Sequence, residues 1–178
     1  MKKFLLFLII SGVFACHVQS QDLHFGLKAG ANFSNLNISS DNVDPSLDGA
    51  TNFYIGALAD MGISDKSHLQ TEILYSIEGA QDAALYFLDF PVMYKYYLIP
   101  GLNLQLGPQL GILLDAENGT ADLKSVNWSL NFGAAYELSG GFFVDARYNL
   151  GLTNFSLIEL NDFSLKTQVF QLGVGYRF

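Results

Sequence analysis

Apolar and polar residues alternate through most of this chain with a period of two. That is the repeat of a β-strand, whose successive side chains point to opposite faces. The clearest run closes the sequence: Phe170, Leu172, Val174, Tyr176 and Phe178 share one face, with Gln171, Gly173, Gly175 and Arg177 between them. The first run, about 23–34, sets Leu23, Phe25, Leu27, Ala29, Ala31 and Phe33 against His24, Gly26, Lys28, Gly30, Asn32 and Ser34. Further strands are predicted at about 52–62, 67–78, 85–98, 102–114, 126–138 and 142–153, and the last at 166–178. Ser64-Asp65-Lys66, Ile99-Pro100-Gly101 and Ser139-Gly140-Gly141 read as tight turns. The segments 35–51, 79–83, 115–125 and 154–165 read as loops, most of them longer. Eight strands joined alternately by turns and loops describe an all-β, antiparallel, up-and-down transmembrane barrel, with periplasmic turns and extracellular loops.

A soluble barrel alternates too, but with its apolar face inward. Two features argue for the membrane form. The apolar faces carry no Asp, Glu, Lys or Arg, although charged residues make up 15% of the chain. A lipid-facing Arg or Lys near the midplane would cost roughly 2–4 kcal/mol. Volume points the same way. Gly26, Gly30, Gly56, Gly62, Gly107, Gly111, Gly133, Gly151, Gly173 and Gly175 all lie on the opposite face. Small residues suit the narrow bore of an eight-stranded barrel, and stacked Leu, Phe and Tyr suit its outside. The aromatics band accordingly. Phe33, Phe53, Tyr75, Tyr86 and Trp128 fall near loop ends, and Tyr94, Tyr96, Tyr136, Phe142, Tyr176 and Phe178 near turn ends. Pro91 and Pro108 are the exceptions, since a closed barrel has no edge strand to host them. If Leu98 pairs with Leu102, Pro91 falls near Gln109 and Pro108 near Val92, and a bulge or kink is expected there.

Residues 1–20 read as a cleavable export signal: Lys2 and Lys3 lead the uncharged run Phe4 to Ala15, and Val18-Gln19-Ser20 supplies the cleavage site. The barrel domain is then 21–178. Lipidation at Cys16, the single cysteine, is the alternative; the bulky Phe14 fits a lipoprotein box badly. Cleavage after Ser20 leaves no thiol, so neither a disulfide nor a thiolate metal site is expected. Two of the nine Lys and Arg residues precede that point and all 17 acids follow it, a balance that argues against nucleic-acid binding.

Several segments resemble the PorT-like outer membrane β-barrel domain family. They are Phe25-Gly26-Leu27-Lys28-Ala29-Gly30-Ala31-Asn32-Phe33-Ser34, Leu69-Gln70-Thr71-Glu72-Ile73-Leu74-Tyr75-Ser76 and Leu88-Asp89-Phe90-Pro91-Val92. Gly107-Pro108-Gln109-Leu110-Gly111 and Ala146-Arg147-Tyr148-Asn149-Leu150-Gly151-Leu152 complete the set. The resemblance implies residence in a Gram-negative outer membrane. For a named member it also implies a part in assembling a secretion and gliding apparatus.

Inward-facing charges are Lys28, Asp60, Glu72, Glu78, Asp89, Lys95, Glu137, Asp145, Arg147 and Arg177. Buried charges have to be paired, so these are expected to form a structural network filling the lumen, with Glu72 and Arg147 meeting across it. His24 and His68 begin strands at the periplasmic end near Asp60 and Arg177, but no nucleophile–base–orienter spacing accompanies them. The loop carboxylates Asp41, Asp44, Asp48, Asp82, Asp115, Glu117, Asp122, Glu159 and Asp162 match no complete calcium-loop pattern and read as solvated.

The expectation is a non-enzymatic surface or scaffold barrel with a plugged lumen, no catalytic or metal residues and no cofactor. Its expected partners are outer-membrane lipid, the barrel-assembly machinery that meets the C-terminal face, and a surface or periplasmic protein. A PorT-like accessory factor is the alternative, and a lipid-modifying barrel enzyme or an open porin-like pore is disfavoured.

Overall fold

The structure, a computed structural model, describes residues 23–39, 50–80, 83–117, 119, 124–153 and 164–178. The proposed leader, Cys16 and the loop acids Asp41, Asp44, Asp48, Asp82, Asp122, Glu159 and Asp162 lie outside them. Eight strands follow in order: β1 Leu23–Ser39, β2 Ala50–Ser64, β3 Ser67–Ala80 and β4 Ala83–Ile99, then β5 Leu102–Ala116, β6 Val126–Glu137, β7 Phe142–Gly151 and β8 Ser164–Arg177. Each pairs antiparallel with its chain neighbours, and β1 pairs with β8, so the sheet closes.

The alternation seen in the sequence settles which way each side chain points. Leu104, Phe132 and Val174 are 48%, 47% and 61% exposed, so none of them lines a central cavity. Their chain neighbours Asn103, Asn131 and Gly173 are buried inside. The lumen glycines are small because larger neighbours lean over them. A Cβ on Gly30 would sit 2.7 Å from the Tyr54 hydroxyl, and one on Gly133 would sit 2.9 Å from Cγ of Arg147. The interior also holds apolar residues. Leu58, Leu74, Met93, Phe143 and Val169 are buried there, and Leu85, Phe87, Leu113 and Ala116 cluster where β4 and β5 approach the extracellular side.

Two expectations need correction. Residues 35–39 continue β1 rather than opening a loop, and β8 begins at Ser164. Backbone pairing as far as Ser39↔Ser164 carries the extension, since each paired residue satisfies its own N–H and C=O. The second concerns the prolines. Pro91 does face Gln109, and pairing then resumes at Tyr94↔Leu106 in the same register. A missing N–H costs a bridge but adds no residue, so no bulge results. The shifts in this strand pair fall instead between Tyr86 and Phe87, and between Tyr97 and Ile99, where Leu102 pairs with Ile99 rather than Leu98.

The turn after β4 follows its chemistry: Pro100 supplies the fixed φ, and Gly101 takes the left-handed φ of 86° that follows it. Aromatic contacts mark the turn end, with Phe142 against Tyr176 at 4.9 Å and Tyr176 against Phe178 at 5.5 Å. The Phe178 amide donates to the Phe25 carbonyl at 2.8 Å, fixing the C-terminal residue to β1.

Candidate functional site

The inward charges assemble into two closed rings of four, drawn from different strands. The upper ring uses odd-numbered strands. Lys28 on β1 reaches Asp145 on β7 at 2.7 Å and Glu72 on β3 at 3.7 Å. Arg147, also on β7, grips Glu72 with two hydrogen bonds of 2.9 and 2.6 Å. Its Nε lies 2.9 Å from Asp145 Oδ2, an ionic contact without hydrogen-bond geometry. Signs alternate around the circuit, and all four residues are buried. Strands β3 and β7 stand opposite one another in an eight-membered ring, so the Arg147–Glu72 pair spans the bore.

The lower ring takes one charge from each even-numbered strand. Lys95 on β4 donates to Asp60 on β2 at 2.5 Å and to Glu137 on β6 at 3.1 Å. Arg177 on β8 donates to Glu137 and, at 3.3 Å, to Asp60. His68 Nδ1 contacts Asp60 Oδ1 at 2.5 Å, and the Tyr97 hydroxyl donates to Glu137 at 2.5 Å. Gln70 ties the rings together: its Nε2 donates to Glu72 at 2.5 Å and its Oε1 accepts from Lys95 at 3.1 Å. Alternating signs hold each ring near neutrality, which is how so many charges tolerate removal from water.

Of the predicted inward charges, Lys28, Glu72, Asp145 and Arg147 form one ring, and Asp60, Lys95, Glu137 and Arg177 the other. Glu78 and Asp89 are buried as well but join neither. His68 enters the lower network; His24 is exposed at the rim, opposite Asp60 in the β1–β2 register. Both histidines line a cavity of about 440 Å³ at the periplasmic mouth, with Asp65, Tyr97, Glu137 and Arg177. The sequence reading missed Tyr54 and Tyr97, although strand parity alone places each of them inward. Among the described residues, no group of three or more His, Cys, Asp and Glu is arranged to hold a metal ion. The C-terminal residues Phe170, Leu172, Val174, Tyr176 and Phe178 all face outward.

Family comparison agrees with this geometry. The outer membrane protein beta-barrel domain family matches residues 6–178. The chain belongs to that family. An outer-membrane barrel of this kind has solved counterparts of similar size. The attachment invasion locus protein Ail of Yersinia pestis is 14% identical, with a TM-score of 0.54 over 87% of this chain and 98% of Ail. Neisserial surface protein A is 15% identical, with a TM-score of 0.52 over 86% of this chain and 97% of that protein. At such identities the likeness is one of fold. No curated protein matches the chain as a relative. The barrel therefore resides in the outer membrane, its apolar belt in lipid.

Proposed function

We propose that this barrel is a non-enzymatic surface or scaffold protein whose lumen is a structural plug and whose extracellular loops carry recognition. The observation that carries this reading is the pair of closed charge rings. Every one of their eight charges is engaged by opposite charges, so none is left to act on a substrate. The Arg147–Glu72 pair lies across the bore, where a pore would need water. Eight strands leave little room in any case. Outer-membrane lipid packs around the apolar belt, the barrel-assembly machinery meets the outward C-terminal face during insertion, and a surface protein docks on the loops. Planar-bilayer recording tests the plug: the purified barrel should give no discrete, steady conductance, and a stable unitary conductance would overturn it. Lipid A from a deletion strain should match the parent's; a changed acylation pattern would mean an enzyme.

A second reading, a PorT-like accessory to a secretion apparatus, draws on the motif resemblance and on the polar periplasmic mouth around His24, His68 and Arg177. A periplasmic partner would dock there. Pull-down of the intact barrel from its native membrane separates the two: secretion components in the eluate favour the second reading, surface partners the first.

A further inference from the structure

Among the described residues, four cations and six carboxylates face the lumen, and the two rings consume four of each. Glu78 on β3 and Asp89 on β4 remain, 2% and 1% exposed, with no cationic partner among the described residues. They are neighbours, since the single hydroxyl of Ser76 serves both: it lies 3.3 Å from Glu78 Oε1 and also hydrogen-bonds Asp89. One hydroxyl proton cannot satisfy two carboxylates at once. The other donor to Asp89 is the Gln109 amide, whose own oxygen is occupied by Asn131 at 2.8 Å. Asp89 Oδ2 has no hydrogen-bond partner.

A second observation lies across Gly111, which pairs with Asp89 on one side and Asn127 on the other. A Cβ on Gly111 would sit 2.7 Å from Asp89 Oδ1, 3.5 Å from the Phe87 ring and 3.7 Å from Cβ of Asn127, so Asp89 and Asn127 both border the space that the glycine leaves. Asn127 is 6% exposed, and its Oδ1 also lacks a partner. Two carboxylates, an amide oxygen and a hydroxyl therefore line one buried stretch of the lumen, and neither carboxyl has a lysine or arginine partner among the described residues. Oxygen donors of this kind suit a hard divalent cation such as Ca²⁺, and Mg²⁺ less well because it holds its own waters.

We infer that Glu78, Asp89 and Asn127, with Ser76, form a buried divalent-cation site in the extracellular half of the lumen. It draws on two carboxylates rather than a three-acid cluster. The cation supplies the charge that the rings supply elsewhere, and it fastens β3, β4 and β6 to one another.

The test refolds the full barrel into detergent from denaturant, with Ca²⁺ alone, Mg²⁺ alone or EDTA, so that access through a closed fold does not matter. One tightly held Ca²⁺ per barrel, and a higher Tm with Ca²⁺ than with EDTA, are expected. Asp89→Asn should weaken Ca²⁺ binding by at least ~10-fold and abolish the Ca²⁺-dependent rise in Tm, since removing a ligand costs no less than removing its support. Asp115→Asn, at the exposed end of β5, should leave both unchanged and so exclude Asp115 as the ligand. Gly111→Ala is the second variant should Asp89→Asn fail to fold. It removes no charge, yet its methyl would occupy the space and Ca²⁺ binding should fall. Wild-type protein whose Tm ignores Ca²⁺, or an Asp89→Asn barrel that still holds one Ca²⁺ tightly, would overturn the proposal.

Discussion

Arg147 and Glu72, 75 positions apart in sequence, meet face to face across the lumen through two hydrogen bonds of 2.9 and 2.6 Å. A bidentate guanidinium–carboxylate pair is stiff and directional, so it fixes the spacing of β3 and β7 across the ring. Breaking such a pair strands a buried charge. Arg147→Leu should therefore destabilise the barrel by about 3–5 kcal/mol. Removing both partners, in Arg147→Leu with Glu72→Leu, should cost less than the sum of the two single changes. Lys28 and Asp145 then neutralise one another, being 2.7 Å apart. Equilibrium unfolding in urea, followed by the fluorescence of Trp128, measures both.

Adjacent residues on β6 should respond oppositely to added bulk. Gly133 lies under the Arg147 side chain, and a Cβ there already approaches it to 2.9 Å. Gly133→Val should lower stability by about 1–3 kcal/mol or prevent folding, as overpacking does elsewhere. Ala134 points into lipid beside Leu104, Phe132 and Leu106, in an open groove of about 600 Å³. Ala134→Leu should fold with stability within ~0.5 kcal/mol of the parent. Heat-modifiability on a gel, with urea titration, reads both variants.

Charge placed on the belt should cost according to depth. Phe132→Arg, near the middle of β6, should destabilise by roughly 2–4 kcal/mol, and Trp128→Arg, toward the strand's loop end, by about 0–1 kcal/mol. Equal penalties for the two would contradict the depth assigned to these residues.

These contrasts rest on a parity that the sequence displays openly. Once Phe132 points out, Gly133 must point in, and the same step places Arg147, Glu72 and Lys95 in the lumen. Strand order was legible too, because turns such as Pro100-Gly101 alternate with loops. The partners of each charge were less so. Parity puts Asp60 and Lys95 on the inner face, but only the register and the strand tilt decide that they meet at 2.5 Å. Tyr54 was overlooked because Phe53 and Ile55 beside it drew attention to the other face. The β1 extension escaped because Asn35 and Asn37 look like loop residues, and nothing local says that β8 continues beside them. Pro91 and Pro108 misled in another way, since losing a hydrogen bond was equated with gaining a residue.

Assembly in the cell offers a separate check on the C-terminal face. Phe178 is 68% exposed and packs edge-on against Tyr176, so it contributes little to the folded interior. Phe178→Ser should lower the amount of barrel found in the outer membrane by several-fold while changing unfolding stability by less than ~1 kcal/mol. Quantitative immunoblotting of membranes, beside urea titration of refolded protein, separates the two effects.

The orientation of the two faces is most directly measured with nitroxide labels. Single cysteines would be placed at Leu104, Phe132 and Val174, and at the inward-facing Asn103, Asn131 and Gln171 on the same strands, in a protein beginning at Gln21 and so lacking Cys16. In lipid bilayers, the first three should collide often with dissolved oxygen and rarely with a water-soluble nickel chelate, while the inward three should be shielded from both. Labels at Leu104, Phe132 and Val174 that are shielded from lipid-phase oxygen, or open to the chelate, would contradict an apolar face turned toward hydrocarbon.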